Sequence, residues 1–249
     1  MVKYEEMTWI DIQKKLASTL LIIPVGSIEQ HSSHLPVSVD SIIAENLAFT
    51  LAEKIGAIVA PTMKYGSKSL TNSGGGSSFP GTIGISGITL ITFYTEAIKE
   101  YLRAGAKRIL ILNGHFENEA FIVEAIEQVK KHMDKECMIV ELSWWNVINK
   151  DEMKEIFGKF DCWDVEHAAQ AETALMMYYR PDLVGEFNDN VKPLNMNPSI
   201  YSTKCNKNII DNLGSLYPYS HVTLQMATQF VKKINIKLIE MIDEVGIYE

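Results

Sequence analysis

Short apolar runs rich in β-branched residues alternate along this chain with longer stretches whose apolar positions recur at helical spacing. Thr19 to Val25 is an unbroken apolar run closed by Gly26, the pattern of a strand buried on both faces. Ser41 to Lys54 follows at helical period, with Asp40 or Ser41 placed to cap it. Ala57 to Ala60 reads as a second short strand stopped by Pro61, and Arg108 to Leu112 and Met138 to Leu142 as two more. Between them the helical pattern returns over Gly87 to Arg103, closed by Ala104-Gly105, and over Asn118 to His132; Val165 to Tyr179 and His221 to Val245 follow. The alternation predicts an α/β fold: a mainly parallel sheet with helices on both faces, whose ligands collect beyond the carboxyl ends of the strands.

Two stretches break the rhythm. Residues 63–84 carry Tyr65-Gly66, Ser73-Gly74-Gly75-Gly76 and Phe79-Pro80-Gly81-Thr82 without periodicity, a loop long enough inside a compact domain to suggest a functional role. Residues 180–220 are sprinkled with Pro, Asn and Ser and read as irregular surface chain. Neither looks like a linker, no solenoid repeat is visible, and 249 residues at 47% hydrophobic composition can build one large core, so a single domain over 1–249 is expected.

Charge and cysteine content narrow the partners. A net charge of −8 and a pI near 5.3 argue against a nucleic-acid groove or an anionic membrane surface and favour a small neutral or cationic ligand. Cys137, Cys162 and Cys205 form neither a disulfide framework nor a CxxC knuckle, which fits a reducing compartment. The N-terminus is acidic where a signal peptide needs an apolar core, and no apolar run approaches a membrane span. A cytoplasmic location is expected.

The chemistry-bearing residues sit at strand ends. Glu29-Gln30-His31 follows the first strand, and His115-Phe116-Glu117 follows the strand at 108–112, each pairing a carboxylate with an imidazole two residues away. In extended chain such side chains point the same way from Cα atoms about 6.6 Å apart. One small ion is poorly served by that gap. Two ions about 3.5–4 Å apart can each take one member of each segment, with Asp40 available as a carboxylate between them.

In these residues the chain resembles the creatininase (creatinine amidohydrolase) family. The resemblance runs through Pro24-Val25-Gly26-Ser27-Ile28-Glu29-Gln30-His31-Ser32-Ser33-His34-Leu35-Pro36, then Asp40, then Asn113-Gly114-His115-Phe116-Glu117-Asn118. It extends through Tyr65-Gly66, Lys68-Ser69, the 73–76 and 79–82 stretches and Trp163-Asp164-Val165-Glu166-His167. The aromatic-Glu-Asn sequence after His115 sides with the creatininases proper, and together the matching motifs cover about residues 20–180.

The resemblance implies a three-layer creatininase-like fold and a binuclear site. One divalent ion would be held by Glu29, Asp40 and His115, the other by His31, Asp40 and Glu117, with Asp40 bridging. Two imidazoles with three carboxylates suit Zn²⁺ or Mn²⁺. A water shared by the ions would be the nucleophile, as hydroxide. His167 matches the proton-transferring histidine and Glu166 an acidic neighbour in the same pocket. Ser73, Trp145, Trp163, Gly114 and Phe116 match substrate contacts, the tryptophan faces suiting a planar guanidine-like ring. The implied reaction is reversible hydrolysis of the cyclic amide of creatinine to creatine, in a homo-oligomer, a hexamer by resemblance.

Plainer uses compete for each residue. Asp40 could be only a helix cap, and Trp145 and Trp163 could be core. Glu172 and Thr173 could support His167 from behind, and His34 could do the same for His31. His132 and His221 look like surface or helix-end residues, and Met176-Met177 like core. Phe116 stands where creatininases more often have tyrosine, and Ser32-Ser33 where they have Gly-Pro, so substrate choice is less constrained than chemistry. The alternatives are the same binuclear chemistry on another cyclic amide, a formamide or a biosynthetic intermediate, and, further off, a non-catalytic metal- or ligand-binding protein.

Overall fold

The structure, a computed structural model, describes residues 2–196 and 201–247. Five strands form one parallel sheet: β1 (Val2–Lys3), β2 (Leu21–Val25), β3 (Ile58–Val59), β4 (Arg108–Asn113) and β5 (Met138–Ser143), in the order β1-β3-β2-β4-β5. The chain moves outward from β2 to β3, then crosses back to lay β4 on the other side of β2. The order therefore reverses between β2 and β4, and it is there, past the strands' carboxyl ends, that an α/β sheet opens a crevice. Val25, Asn113 and Ser143 lie level with one another in the ladder and form the lip of that crevice.

Helices cover both faces because successive apolar residues of each strand point opposite ways. Ile22, Leu110, Leu112 and Leu142 pack beneath α2 (Val39–Ile55), α5 (Lys150–Phe157), α6 (Gln170–Tyr179) and α8 (Leu224–Val245). Leu21, Ile23, Ile109 and Ile111 pack against α3 (Gly87–Arg103) and α4 (Glu119–Lys130). The α/β architecture read from the pattern is the one observed, with α3 matching its expected bounds.

Four short elements escaped that reading: β1, α1 (Trp9–Lys15), α5 and α7 (Lys207–Asp211). α5 carries a capping box, Asn149 and Glu152 each bonding the other's backbone N–H, a signal present in the sequence. Residues 180–220 are not merely surface chain: Ile209, Leu216 and Tyr217 bury themselves against Val165 and Ala169. α6 starts at Gln170 rather than Val165, because Trp163–Val165 forms a separate 3-10 turn and Ala168 then adopts a positive φ of 49°. No helix among the described residues is long and apolar enough to cross a membrane.

Candidate metal centre

Three segments converge at the crevice. After β2, residues 28–31 run extended: Glu29 N–H donates to Val37 O at 2.8 Å, Gln30 N–H to Thr82 Oγ1 at 3.0 Å, and Ile28 bridges Ile83. The far end of the glycine-rich stretch thus clamps the first carboxylate–imidazole pair. The N-terminus of α2 brings Asp40. Asp40 is not the cap, a position held by Ser38; it lies in the first turn with its carboxylate turned toward the imidazoles. After β4, Gly114 lets the chain press on α2, since a Cβ there would sit 2.4 Å from Asp40 O. His115 follows at once.

Both imidazoles are fixed by their far nitrogens. His31 donates from Nδ1 to Glu29 O at 3.0 Å, and His115 donates from Nε2 to Ser67 O at 3.2 Å. Those bonds set the tautomers, leaving His31 Nε2 and His115 Nδ1 as bare lone pairs. Yet these lone pairs face carboxylate oxygens. His115 Nδ1 lies 3.0 Å from both Glu29 Oε2 and Asp40 Oδ2, and His31 Nε2 lies 3.1 Å from Asp40 Oδ1 and 3.4 Å from Glu172 Oε1. Glu29 Oε1, His31 Nε2 and Asp40 Oδ2 are buried without any hydrogen-bond partner. Lone pair against carboxylate at such distances is repulsive unless a cation sits between them.

The titration tendencies say the same. Burial works to lower the pKa of His31, but Glu172 and Asp40 outweigh it and carry it well above the ordinary value; Glu117 and Glu29 do likewise for His115. Burial works to raise Asp40, and His31 and His115 outweigh it, holding the carboxyl far below its usual range. A site this acidic draws positive charge, as protons or as metal.

The residues expected from sequence are all brought to this place, in a different grouping. Glu29, Asp40 and His115 converge as one set. Asp40 and His31 are joined by Glu172, from the first turn of α6, where Glu117 was expected. Glu117 groups instead with Glu29 and His115, close enough together to hold an ion; it lies 3.3 Å from His115 Nε2 and accepts the Leu70 N–H at 3.1 Å and a bond from the Ser73 hydroxyl. The cause is local: Phe116–Asn118 is a 3-10 turn, so residues 115 and 117 do not share the direction that extended chain would give them. Burial pushes the Glu117 carboxyl up, although His115 opposes the rise.

Above these groups lies a cavity of about 200 Å³ walled by Trp145, Trp163, Phe116, Met196 and Tyr201, with Ser73 and Gly114 on its lining. No lysine or arginine contributes to that lining among the described residues. Trp145 is both wall and core: it is 7% exposed, tilted over Phe116 at 6.0 Å and edge-on to Trp144. Trp163 is half-buried, tied by its indole N–H to Ile148 O. His167 lines the cavity, its Nε2 3.8 Å from Glu29 Oε1 and its ring 4.6 Å from that of His31. Glu166 lines the same cavity, its carboxyl accepting from Gln170 Nε2 and the Ala171 N–H, and burial lifts its pKa to about 8. His34 stacks on Tyr219 and bonds Thr173 beside Glu172, a buried support that burial holds neutral.

A carboxylate–imidazole cluster sunk at the switch point of a parallel α/β sheet defines a protein of the metallohydrolase kind. The family model described as creatininase, creatinine amidohydrolase, matches residues 5–212, and the chain belongs to that family of amidohydrolases. It is 37% identical over 187 residues to a creatinine amidohydrolase of Pseudomonas putida, covering 72% of each chain. It is 29% identical over 185 residues to a 3-dehydro-scyllo-inosose hydrolase of Thermotoga maritima, covering 74% of this chain and 58% of that one. Among solved structures it superposes on a manganese form of creatininase with a TM-score of 0.91 at 30% identity over 98% of both chains. A mutant creatininase of Zn-Zn type gives a TM-score of 0.90 at 29% identity over 97% of both.

Proposed function

We propose that this protein hydrolyses the cyclic amide of creatinine to creatine, reversibly, with two divalent ions, zinc or manganese, held by Glu29, Asp40 and His115 and by His31, Asp40 and Glu172. The observation that carries the reading is a set of buried atoms without hydrogen-bond partners, Glu29 Oε1, His31 Nε2 and Asp40 Oδ2, in a cluster whose tautomers are already fixed to leave the imidazole lone pairs free. Ions bound there would polarise the amide carbonyl and lower the pKa of a water toward neutrality.

The protein's own residues account for the rest. The faces of Trp145 and Trp163 suit a flat, delocalised ring, and an acidic cavity without lysine or arginine suits a neutral or cationic one. Water adds to the carbonyl carbon, the ring C–N bond breaks, and the departing nitrogen needs a proton. His167, on the cavity wall, is positioned to deliver it. Glu117, tethered by Leu70 and Ser73 against His115, orients that ligand from its outer edge. Glu166 acts at one remove, by bonding the Ala171 N–H and so holding the α6 turn that presents Glu172. Phe116 in place of a tyrosine offers ring area and no hydroxyl.

The 29% identity to a 3-dehydro-scyllo-inosose hydrolase supports one second reading, the same site acting on a different small molecule. Assay of protein loaded with zinc or manganese against creatinine separates the two. Saturable release of creatine supports the first; turnover of another cyclic amide or a formamide, with none of creatinine, moves the assignment to the second.

A further inference from the structure

Asn118 holds the N-terminal cap position of α4, where an asparagine side chain ordinarily bonds the first free N–H groups of the helix. It makes no such bond. The side chain is fully buried and turned the other way: Oδ1 accepts the Ser67 N–H at 2.8 Å, and Nδ2 donates to Gly26 O at 3.0 Å, with Asn113 Oδ1 at 3.5 Å for its second hydrogen. An N–H on one side and a carbonyl on the other leave the carboxamide a single orientation. Its two hydrogens meet two acceptors, so none is shared.

The residues it joins begin the segments that build the metal centre. Gly26 follows β2 and leads to Glu29 and His31, Asn113 ends β4 and leads to His115, and Ser67 lies in the glycine-rich stretch. Gly66 permits the close approach, since a Cβ there would fall 2.5 Å from Gly26 O and 2.8 Å from Asn118 Oδ1. The peptide between Gly66 and Ser67 is thereby held at both edges, its N–H by Asn118 and its carbonyl by the Ile85 N–H at 2.9 Å. The next carbonyl, Ser67 O, receives the single hydrogen of His115 Nε2 at 3.2 Å, while Glu117 Oε2 attracts the same nitrogen by charge from 3.3 Å.

A histidine can offer an ion either nitrogen, and the choice follows from where the other nitrogen finds an acceptor. His31 turns Nδ1 to Glu29 O, two residues back, and offers Nε2; His115 turns Nε2 to a carbonyl 48 residues away and offers Nδ1. The first acceptor comes with the strand end itself. The second belongs to an irregular loop and has to be held in place from outside. We propose that Asn118 is a positioning residue for the metal centre: by holding the Gly66–Ser67 peptide it places the carbonyl that selects Nδ1 of His115 as the nitrogen facing Glu29 and Asp40. The proposal rests on the two-ion reading above and is independent of the substrate.

The test uses the full chain labelled with ¹⁵N-histidine and loaded with zinc, as wild type, Asn118→Ala and Asn118→Asp. Competition with a chromophoric chelator reads the affinity of each ion. Long-range ¹H–¹⁵N spectra, with His115→Gln assigning the ring, read which nitrogen is bound to metal. Wild type is expected to bind through Nδ1 of His115 and to keep a proton on Nε2. In Asn118→Ala one of the two ions should be held about 10–100-fold more weakly, the scale for a lost support behind a ligand, with the other unchanged and the Nδ1 pattern lost or mixed. Asn118→Asp keeps an oxygen facing the Ser67 N–H and should keep that pattern. Ligation of wild-type His115 through Nε2 overturns the proposal. So does an Asn118→Ala protein with both affinities and the ring pattern of wild type, or one in which both ions weaken alike, as general loosening of the fold would cause. If Asn118→Ala fails to fold, the wild-type spectrum and Asn118→Asp decide. Wild-type protein that binds fewer than two ions overturns the two-ion reading and takes this proposal with it, a result distinct from two ions bound without regard to position 118.

Discussion

Glu29–His31 and His115–Glu117 are near mirror images in sequence and unlike in structure. The first stays extended, pinned by Val37 and Thr82, and sends its two members to different partners: Glu29 to His115, His31 to Asp40 and Glu172. The second turns at once into a 3-10 helix, so His115 faces the cluster with Nδ1 while Glu117 approaches the same ring from its Nε2 edge. Equal spacing thus gives two members with different partners in one arm and two members meeting at a single imidazole in the other. Spacing of ligand types along a chain says which residues meet; the backbone after the strand end says which atoms do.

The comparison breaks most severely at Asp40, which both arms share. Asp40→Ala removes the carboxylate facing both lone pairs, and we expect loss of both ions and a fall in activity of at least about 10³-fold, read by elemental analysis beside turnover. Glu172→Gln strips only the His31 side. It should leave about one tightly held ion per chain, whereas Glu117→Gln should keep both and lower activity about 10–100-fold, the range of an outer brace. If the two glutamates exchange these outcomes, the grouping of the ligands is reversed.

His167→Ala tests what neither arm supplies. Turnover should drop about 10²–10⁴-fold with both ions retained, since the loss is of a proton donor. Metal lost in proportion to activity would make His167 a ligand.

These predictions rest on a site only part of which was readable in the chain. The strands are legible because residues buried on both faces must be apolar without interruption, as at Leu21–Val25, while the strand order and its reversal between β2 and β4 come only from the structure. Glu29, His31 and His115 are legible because carboxylate–imidazole pairs stand at the ends of two strands, and Asp40 because it follows the first pair at the start of α2. Glu172 is not: its arrival beside His31 depends on the turn at Trp163–Val165 and the left-handed Ala168, which place the start of α6 against the crevice. Nor is the placement of Glu117, set by one turn of 3-10 helix. Asp40 resembled a cap because the cap position and the first turn differ by two residues. Trp145 shows that wall and core were a false choice, since one indole serves both.

That double duty gives a smaller effect. Trp145→Ala should cost about 3 kcal/mol or more of stability as well as raising KM, as truncation of a buried aromatic does. Half-buried Trp163→Ala should cost less stability for a similar rise in KM, and denaturant unfolding beside kinetics distinguishes them.

The smallest effect lies behind the second arm. Asn113 Nδ2 donates to His115 O and to Ser143 Oγ, and Ser143 lies between Glu119 and Glu141. Burial, aided by the charge of Glu119, lifts Glu141 to about 7. The folded state then holds that proton more tightly than the unfolded chain, so this group's contribution to stability is full below about pH 4.5 and is lost as pH rises to about 7. Glu141→Gln should abolish that decline, a gain of about 1–3 kcal/mol at pH 8 relative to pH 4.5, seen as a pH-dependent difference in Tm.

The most direct measurement of the two-ion account is a titration of metal-stripped protein with Zn²⁺ or Mn²⁺, following creatine release from creatinine against ions bound. The account predicts that turnover is absent without metal and rises until two ions are bound per chain. Full activity at one ion per chain, or activity undiminished in the stripped protein, would contradict it.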